Sequence, residues 1–366
     1  MATRQAAILV GGKGVRLGAL TRDTPKPLMA LSEGRVFLDL LIEQAARHGF
    51  DEIVLLAGHL GQQFVDRYAG RAVLGAKLKV TLEPSPAGTA GALAHARDLL
   101  AETFLLLNGD TFFDFNFKRL DALLTTHRDA LGALALRRTD DTARYGSARM
   151  EGLRIAAFRE KAARDAPAAG LVNAGAARLR RGVLDFIRRL PSSIEFDVYP
   201  RLAAEGRLLG EEFPGYFLDI GLPETLALAR RDLPLIRAAL FVDACVDALD
   251  APTAKLIARA NDAGWLVFLF ADGAYAPSAL LEEHGAHVDA ALPAAATAEA
   301  FRTTIAAWGA NAAQSLLLSR DAALIAAARH AGVAPMSDGE TPFADLRPAA
   351  RPRSPEEDLR APRAAI

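Results

Sequence analysis

The chain has 366 residues, 51% of them hydrophobic, with 43 Lys and Arg against 44 Asp and Glu. That length accommodates two domains with sizeable cores, and a net charge of −1 argues against non-specific binding to nucleic acid or to a membrane surface. The single cysteine, Cys245, excludes an internal disulfide and fits a reducing compartment. The N-terminus carries only a short apolar run before glycine and charge. Neither a secretory signal nor a spanning helix is therefore expected, and a cytoplasmic protein follows.

Residues 6–10, Ala-Ala-Ile-Leu-Val, read as a buried parallel strand. Directly after it, Gly11, Gly12 and Gly14 let the backbone turn sharply and bring its N–H groups close to an anion. Lys13, Arg16 and Lys26, the last held between Pro25 and Pro27, add positive charge, so the segment is built to hold phosphates. It is not a P-loop, because no glycine is followed by Lys-Ser or Lys-Thr at the required distance. Nor is it a dinucleotide fingerprint: counted from Gly12 and Gly14, the third glycine falls on Leu17.

Strand and helix patterns alternate from here: helix over 37–48, strand over 52–57, helix over 60–68, strand over 78–83, helix over 89–101, strand over 103–107. This is the alternation of a parallel, doubly wound α/β sheet, whose ligands bind at the carboxyl ends of the strands. Asp110, in Asn108-Gly109-Asp110, follows the 103–107 strand. A carboxylate there, facing a phosphate loop, suits Mg²⁺ bridging phosphates; a turn or helix-cap aspartate is the alternative. From 132 to 214 the strands shorten and two helices intervene, near 182–189 and 195–206, as in a mixed sheet. Asp219 again ends an apolar run.

The stretch from Gly11 to Leu28 resembles the signature of the sugar-1-phosphate nucleotidyltransferases, G-G-x-G-T-R-L followed by P-K-P, with Val15 in place of the usual threonine. The resemblance implies a Rossmann-like, GT-A-like mixed sheet over 1–232 that transfers a nucleotidyl group from an NTP to a sugar 1-phosphate. By the same resemblance, Asp110 and the Asp219 of Asp-Ile-Gly jointly hold the metal, Mg²⁺. Gly11, Gly12, Lys13, Gly14, Arg16 and Gly109 would hold the nucleotide, with Arg16 on the departing phosphates. Glu83, which opens Glu-Pro-Ser-Pro-Ala-Gly-Thr-Ala-Gly, falls in the family's base-recognition segment with Gly88 and Thr89. An ionised carboxylate only accepts hydrogen bonds, and guanine presents two adjacent donors on its Watson–Crick edge, so Glu83 suits GTP; solvent exposure at a strand end is the alternative. The helix that follows offers further N-terminal amides. Tyr145-Gly146, Phe158-Arg159-Glu160-Lys161 and Asn173-Ala174-Gly175 resemble the family's sugar-side motifs. They imply Lys161 on the sugar phosphate, with Gly146, Glu160 and Asn173 around the sugar; Glu160 and Lys161 as plain surface charges are the alternative. Arg16, Lys26, Asp110 and Lys161 form the expected catalytic set, acting by position and charge.

Around Pro234 the alternation restarts: strand over 238–243, helix over 253–263, strand over 265–270, helix over 277–284 and an extended stretch over 288–292. This unit, 235–336, resembles the haloacid-dehalogenase phosphatases of the small histidinol/heptose-phosphate type. Asp243 stands at the nucleophile position, but Cys245 replaces the general acid and Ala271 the hydroxyl residue. Arg320 and Leu324 fall where metal-binding aspartates belong, with Asp321 out of register, and no lysine follows Lys255. No phosphatase activity is expected, and a structural, oligomerising or regulatory role remains. The resemblance pairs the chain with heptose metabolism and implies D-glycero-D-manno-heptose 1-phosphate as acceptor, with mannose 1-phosphate as the alternative. A decayed nucleotide-sugar-binding protein and a bifunctional transferase-phosphatase are the other classes. The sequence leaves a homo-oligomer open. Residues 337–366, dominated by proline, arginine and acidic residues, are expected to be disordered.

Overall fold

A computed structural model of the chain describes residues 4–142, 145–160, 168–235, 237–244, 249–271, 279–294 and 297–336. Two compact units are present. One comprises the residues up to Phe113 together with Phe117–Leu226; the other comprises Asp114–Asn116 and the residues from Ala227 onward. Cys245, Lys161 and the 337–366 tail lie outside the described residues.

The first half of the first unit runs β1 (Gln5–Leu9), the hairpin strands β2 (Ala30–Ser32) and β3 (Arg35–Val36), α1 (Phe37–Arg47), β4 (Glu52–Ala57) and α2 (Gln62–Tyr68). It continues through β5 (Ala72–Val73), β6 (Ala76–Leu82), α3 (Gly88–His95), β7 (Thr103–Asn108), β8 (Thr111–Phe113) and α4 (Lys118–Thr126). The second half adds β9 (Gly132–Thr139), β10 (Ser147–Glu151), β11 (Arg154–Arg159), β12 (Gly170–Arg180), α5 (Tyr199–Ala204), β13 (Leu208–Glu212) and β14 (Phe217–Asp219), and α6 (Pro223–Asp232) begins.

Ten strands form one sheet in the order β10-β11-β13-β9-β12-β7-β1-β4-β6-β5. Its centre is parallel, because β1 is flanked by β4 and β7 running the same way. Those strands are continuous apolar runs (Ala6–Ile8, Ile53–Leu56 and Phe104–Leu107 are all buried), as a sheet covered on both faces requires. The expected mixed character enters at β12, which is antiparallel to both β7 and β9. One register matters most. Leu9 lies opposite Leu56 of β4 and opposite Asn108 of β7, so the carboxyl ends of these three strands finish level.

Three of the expected helices differ in form. The one expected over 89–101 stops at His95 and passes through a 3₁₀ turn, Arg97–Leu99, as Leu100 turns into the core ahead of β7. The one near 182–189 is a 3₁₀ turn, Arg181–Phe186. The one over 195–206 begins as a single π-helical turn, Ile194–Val198, before α5.

The second unit is a parallel α/β sheet. It contains β15 (Ala239–Asp243), α7 (Ala251–Asp262), β16 (Leu266–Ala271), α8 (Ala279–Glu283), β17 (Ala290–Pro293), α9 (Ala298–Trp308), β18 (Leu316–Leu318), α10 (Ala322–His330) and β19 (Ala334–Met336). The order β17-β16-β15-β18-β19 puts the first strand in the middle, and every pairing is parallel. Alternate residues of β15 feed two separate cores: Leu240 and Val242 pack on one face, Ala239 and Phe241 on the other. Among the described residues, no helix is long and apolar enough to cross a membrane.

Phe104 is fully buried in the core beneath β7. Phe104→Ala is expected to destabilise the first unit by about 3–5 kcal/mol, seen as an earlier transition in chemical denaturation followed by circular dichroism.

Candidate active site

Level strand ends bring distant segments together. The amide of Val10 donates to the Leu56 carbonyl (3.0 Å), that of Gly109 to the Leu9 carbonyl (2.9 Å), and that of His59 to the Gly11 carbonyl (3.1 Å). The glycine loop after β1, the turn after β4 and the Asn108-Gly109-Asp110 turn therefore share one edge. Glycine at 109 is required by closeness, since a Cβ there would lie 2.4 Å from the Leu9 carbonyl oxygen. Gly14 has φ +63° and opens the 3₁₀ segment Val15–Thr21.

Two cavities open at this edge. The larger, about 440 Å³, is lined by the glycine loop with Lys13 and Lys26, by Glu83, Gly88 and Thr89, and by Asn108, Gly109, Asp110 and Glu195. The smaller, about 210 Å³, is lined by Arg16, Tyr145, Gly146, Glu160, Asn173, Phe196, Phe217 and Asp219, together with the same Asn108, Asp110 and Glu195. Asp110 thus belongs to the wall between them.

That wall is charged. Lys26 Nζ lies 2.7 Å from Asp110 Oδ2 and its side chain is nearly buried, held in a short 3₁₀ turn by the flanking prolines. β14 pairs antiparallel with β8, setting Asp219 opposite Thr111, and the Ile220 amide donates to the Asp110 carbonyl (2.9 Å). Burial pushes the Asp219 carboxyl above the usual carboxylate range, and the negative Asp110 pushes it further; Lys26, Arg16 and the Gly221 amide pull the other way. Two repelling carboxylates beside a phosphate loop form a hard oxygen donor set that a divalent cation would relieve. No cluster of three or more His, Cys, Asp or Glu able to hold a metal occurs among the described residues. Magnesium characteristically takes one or two carboxylates and completes its shell with phosphate and water, so the pair fits it.

Glu83 lines the larger cavity. Its amide donates to the Ala57 carbonyl (2.9 Å), which fixes it at the end of β6. The carboxylate packs directly on glycine: a Cβ at Gly58 would lie 2.2 Å from Glu83 Oε1, and one at Gly11 would lie 3.3 Å from it. Glu83 Oε2 is buried without a hydrogen-bond partner among the described residues. Burial raises the Glu83 carboxyl above the ordinary glutamate value, and the Ala87 amide and His95 partly offset that.

The structure adds one ligand-facing residue and revises two expectations. Glu195 lines both cavities, and its Oε2 accepts from Thr89 Oγ1 (2.7 Å) and Ser193 Oγ (2.8 Å). Its only sequence cue was an acidic residue opening the stretch read as the 195–206 helix. The α3 N-terminus does not present all its amides to the cavity, because those of Ala90 and Gly91 donate to the Ser192 carbonyl (3.0 and 3.3 Å). Arg16 faces the smaller cavity beside Asp219 rather than the larger one with the glycine loop.

On the other side, Gly146, Glu160 and Asn173 come together as the motifs suggested. A Cβ at Gly146 would lie 2.5 Å from Glu160 Oε2, and the Asn173 amide donates to the Gly146 carbonyl (2.8 Å). The register of β12 against β9 shifts between Asn173 and Ala177, and this irregularity turns Asn173–Gly175 toward the cavity.

The chain belongs to the nucleotidyl transferase family, whose model matches residues 5–234. Over 227 residues it is 34% identical to the mannose-1-phosphate guanylyltransferase catalytic subunit beta of Dictyostelium discoideum, covering 60% of this chain and 62% of that one. The protein of the same description from Danio rerio is 34% identical over 232 residues, with the same coverage. The chain therefore spans about 62% of the length of these curated relatives. Among solved structures, HddC from Yersinia pseudotuberculosis superposes with a TM-score of 0.54 at 27% identity, covering 62% of this chain and 98% of that one; it has also been crystallised with GMP-PN. Residues from 235 onward, most of the second unit, lie beyond the family match.

Because every close neighbour of a Cβ at Gly58 belongs to Glu83, Gly58→Ala is expected to displace that carboxylate and leave the fold intact. Equilibrium binding should show the spread of dissociation constants among the four NTPs narrowing, with the thermal midpoint little changed. An unchanged spread would remove Glu83 from the base.

Proposed function

We propose that the first unit transfers a guanylyl group from GTP to a sugar 1-phosphate, releasing pyrophosphate and forming a GDP-sugar. One observation carries this reading: Asp110, ion-paired with Lys26, stands in the wall shared by two adjoining cavities. A group passed between two ligands must cross such a wall. The larger cavity suits the nucleotide, with the glycine loop for phosphates and Glu83 for the base; the smaller suits the acceptor, with Glu160, Asn173 and Glu195 to bond hydroxyls.

A sugar 1-phosphate is already a nucleophile near neutral pH, so no unusual base is needed. The work lies in holding two anions together and stabilising charge on the α-phosphate. Lys26 screens the approach from the dividing wall. Arg16, facing the smaller cavity, serves the incoming phosphate as readily as the leaving one. Lys161 is assigned to the sugar phosphate by resemblance. Asp110 and Asp219 would hold Mg²⁺, which supplies Lewis-acid charge stabilisation to bound phosphates.

The acceptor we favour is D-glycero-D-manno-heptose 1-phosphate, because of the phosphatase-like pattern in the second unit. Mannose 1-phosphate, the substrate in the names of the curated relatives, has the same ring configuration and is the second reading. The second unit we read as a phosphatase-like module without turnover. In support, Asp321 is occupied as the N-cap of α10, accepting from the Leu324 amide (2.7 Å), and Asp243 Oδ2 accepts from Ser319 Oγ (2.6 Å).

Pyrophosphate release, measured across the common NTPs and a panel of sugar 1-phosphates, tests the assignment. GTP with a manno-configured sugar 1-phosphate is expected to be the productive pair, and Asp110→Asn or Lys26→Met should lower kcat by at least about 100-fold while leaving the fold intact. Release with UTP or dTTP alone would overturn the base assignment, and release with no pair would favour a binding protein.

The raised Glu83 pKa gives the base assignment a sign. Only the carboxylate accepts both guanine donors, so GTP binding favours the ionised form. Affinity should fall as the pH drops through a value above the ordinary glutamate pKa of 4.5. Titration of GTP binding against pH should show that loss in the wild type and not in Glu83→Gln.

A further inference from the structure

We infer that Phe196 is an acceptor-contacting specificity residue, an aromatic platform against which the C–H surface of the sugar packs. This rests on the assignment of the smaller cavity to the acceptor. Phe196 is 60% exposed although it lines that cavity. An exposed aromatic is unremarkable by itself, but this one is held in place from both sides. It lies on the π-helical turn Ile194–Val198, a rare form that recurs at functional sites.

On one side Glu195 is bonded to Thr89 and Ser193; on the other, Asp197 Oδ2 accepts from the Ser192 hydroxyl and the Ser193 amide, both at 2.9 Å. Phe196's own amide donates to Ser193 Oγ (3.2 Å), and Ile194 and Val198 are buried. These bonds brace the backbone of the turn on both sides of the ring.

The rest of the cavity explains what such a ring meets. Glu160, Asn173 and Glu195 supply polar groups to the wall, while Tyr145 and Phe217, in edge contact at 5.5 Å, supply apolar surface. A pyranose has the same division, with hydroxyls around its edge and C–H bonds on its faces. Phe196 adds to the apolar surface a ring that is largely exposed, whereas Phe217 is 6% exposed and Tyr145 is half-buried.

Kinetics of Phe196→Ala and Phe196→Tyr with mannose 1-phosphate and GTP test this. Loss of an aromatic contact should raise the sugar KM of Phe196→Ala about tenfold, with the KM for GTP and kcat within about twofold of the wild type. Phe196→Tyr should restore the sugar KM. A sugar KM unchanged in Phe196→Ala, or a rise shared equally by GTP, overturns the inference. Should the wild type release no pyrophosphate with any pair of the panel, the transferase reading fails by itself, and ligand-observed NMR with mannose 1-phosphate decides the role of Phe196 separately. Binding weakened in Phe196→Ala supports it; equal binding in both proteins, or binding in neither, refutes it.

Discussion

The parallel pairing of β1 with β4 and β7, in a register that ends all three strands level, determines where the glycine loop, the Gly58 turn and Asp110 fall, and the rest of the site is built around them. The inner side chains of those strands, Ala6–Ile8, Ile53–Leu56 and Phe104–Leu107, are apolar and committed to packing. Chemistry can begin only where the strands stop. A shift of one residue in either pairing would turn each strand's side chains to the opposite face. It would also break the Gly109–Leu9 and Val10–Leu56 hydrogen bonds that align the turns. The buried aliphatic runs therefore do more than stabilise the sheet; they set the relative heights of the glycine loop, the Gly58 turn and Asp110.

On that platform the electrostatics are arranged as opposed pairs. Lys26 is nearly buried and satisfied by Asp110, while Asp219 is left with a neighbouring negative charge and a raised pKa. Removing one partner of such a cluster leaves another charge uncompensated, so the groups act as a unit rather than as separable contributions. The glycines at 11, 58, 109 and 146 serve the same arrangement sterically. At all four of these positions a methyl group would come within 3.0 Å of a backbone atom or of a carboxylate oxygen facing a cavity.

Much of this was legible in the sequence because it depends on local signals. The β4 strand matches the expected bounds, 52–57, because an apolar run bounded by charge and glycine leaves few alternatives. The glycine loop, Asp110 and Asp219 could be marked because they follow apolar runs, and Lys26 because two prolines enclose it, while the pairing of the two aspartates came from the family resemblance. What could not be read depends on contacts distant in sequence. Glu195 looks like an ordinary helix-opening acid until Thr89, 106 residues away, is placed against it. The use of Ser192's carbonyl by the α3 amides is likewise invisible before the chain folds, as is the placement of Arg16, which depends on the path of Val15–Thr21. The short irregular helices were over-read because an apolar periodicity does not distinguish α from 3₁₀ or π turns.

Thr89 Oγ is at once a donor to Glu195 and an acceptor from the Ile194 amide (2.9 Å). The segment that opens α3 and the turn that carries Glu195 and Phe196 are thus one hydrogen-bonded body, with one cavity on each flank. Ligands on the two flanks cannot be thermodynamically independent if either moves that body. Whatever factor the first to bind imposes on the affinity of the second, the second imposes the same factor on the first. The Thr89 hydroxyl and the Ser192 carbonyl, which takes the Ala90 and Gly91 amides, hold that body together, so the two equilibria share it.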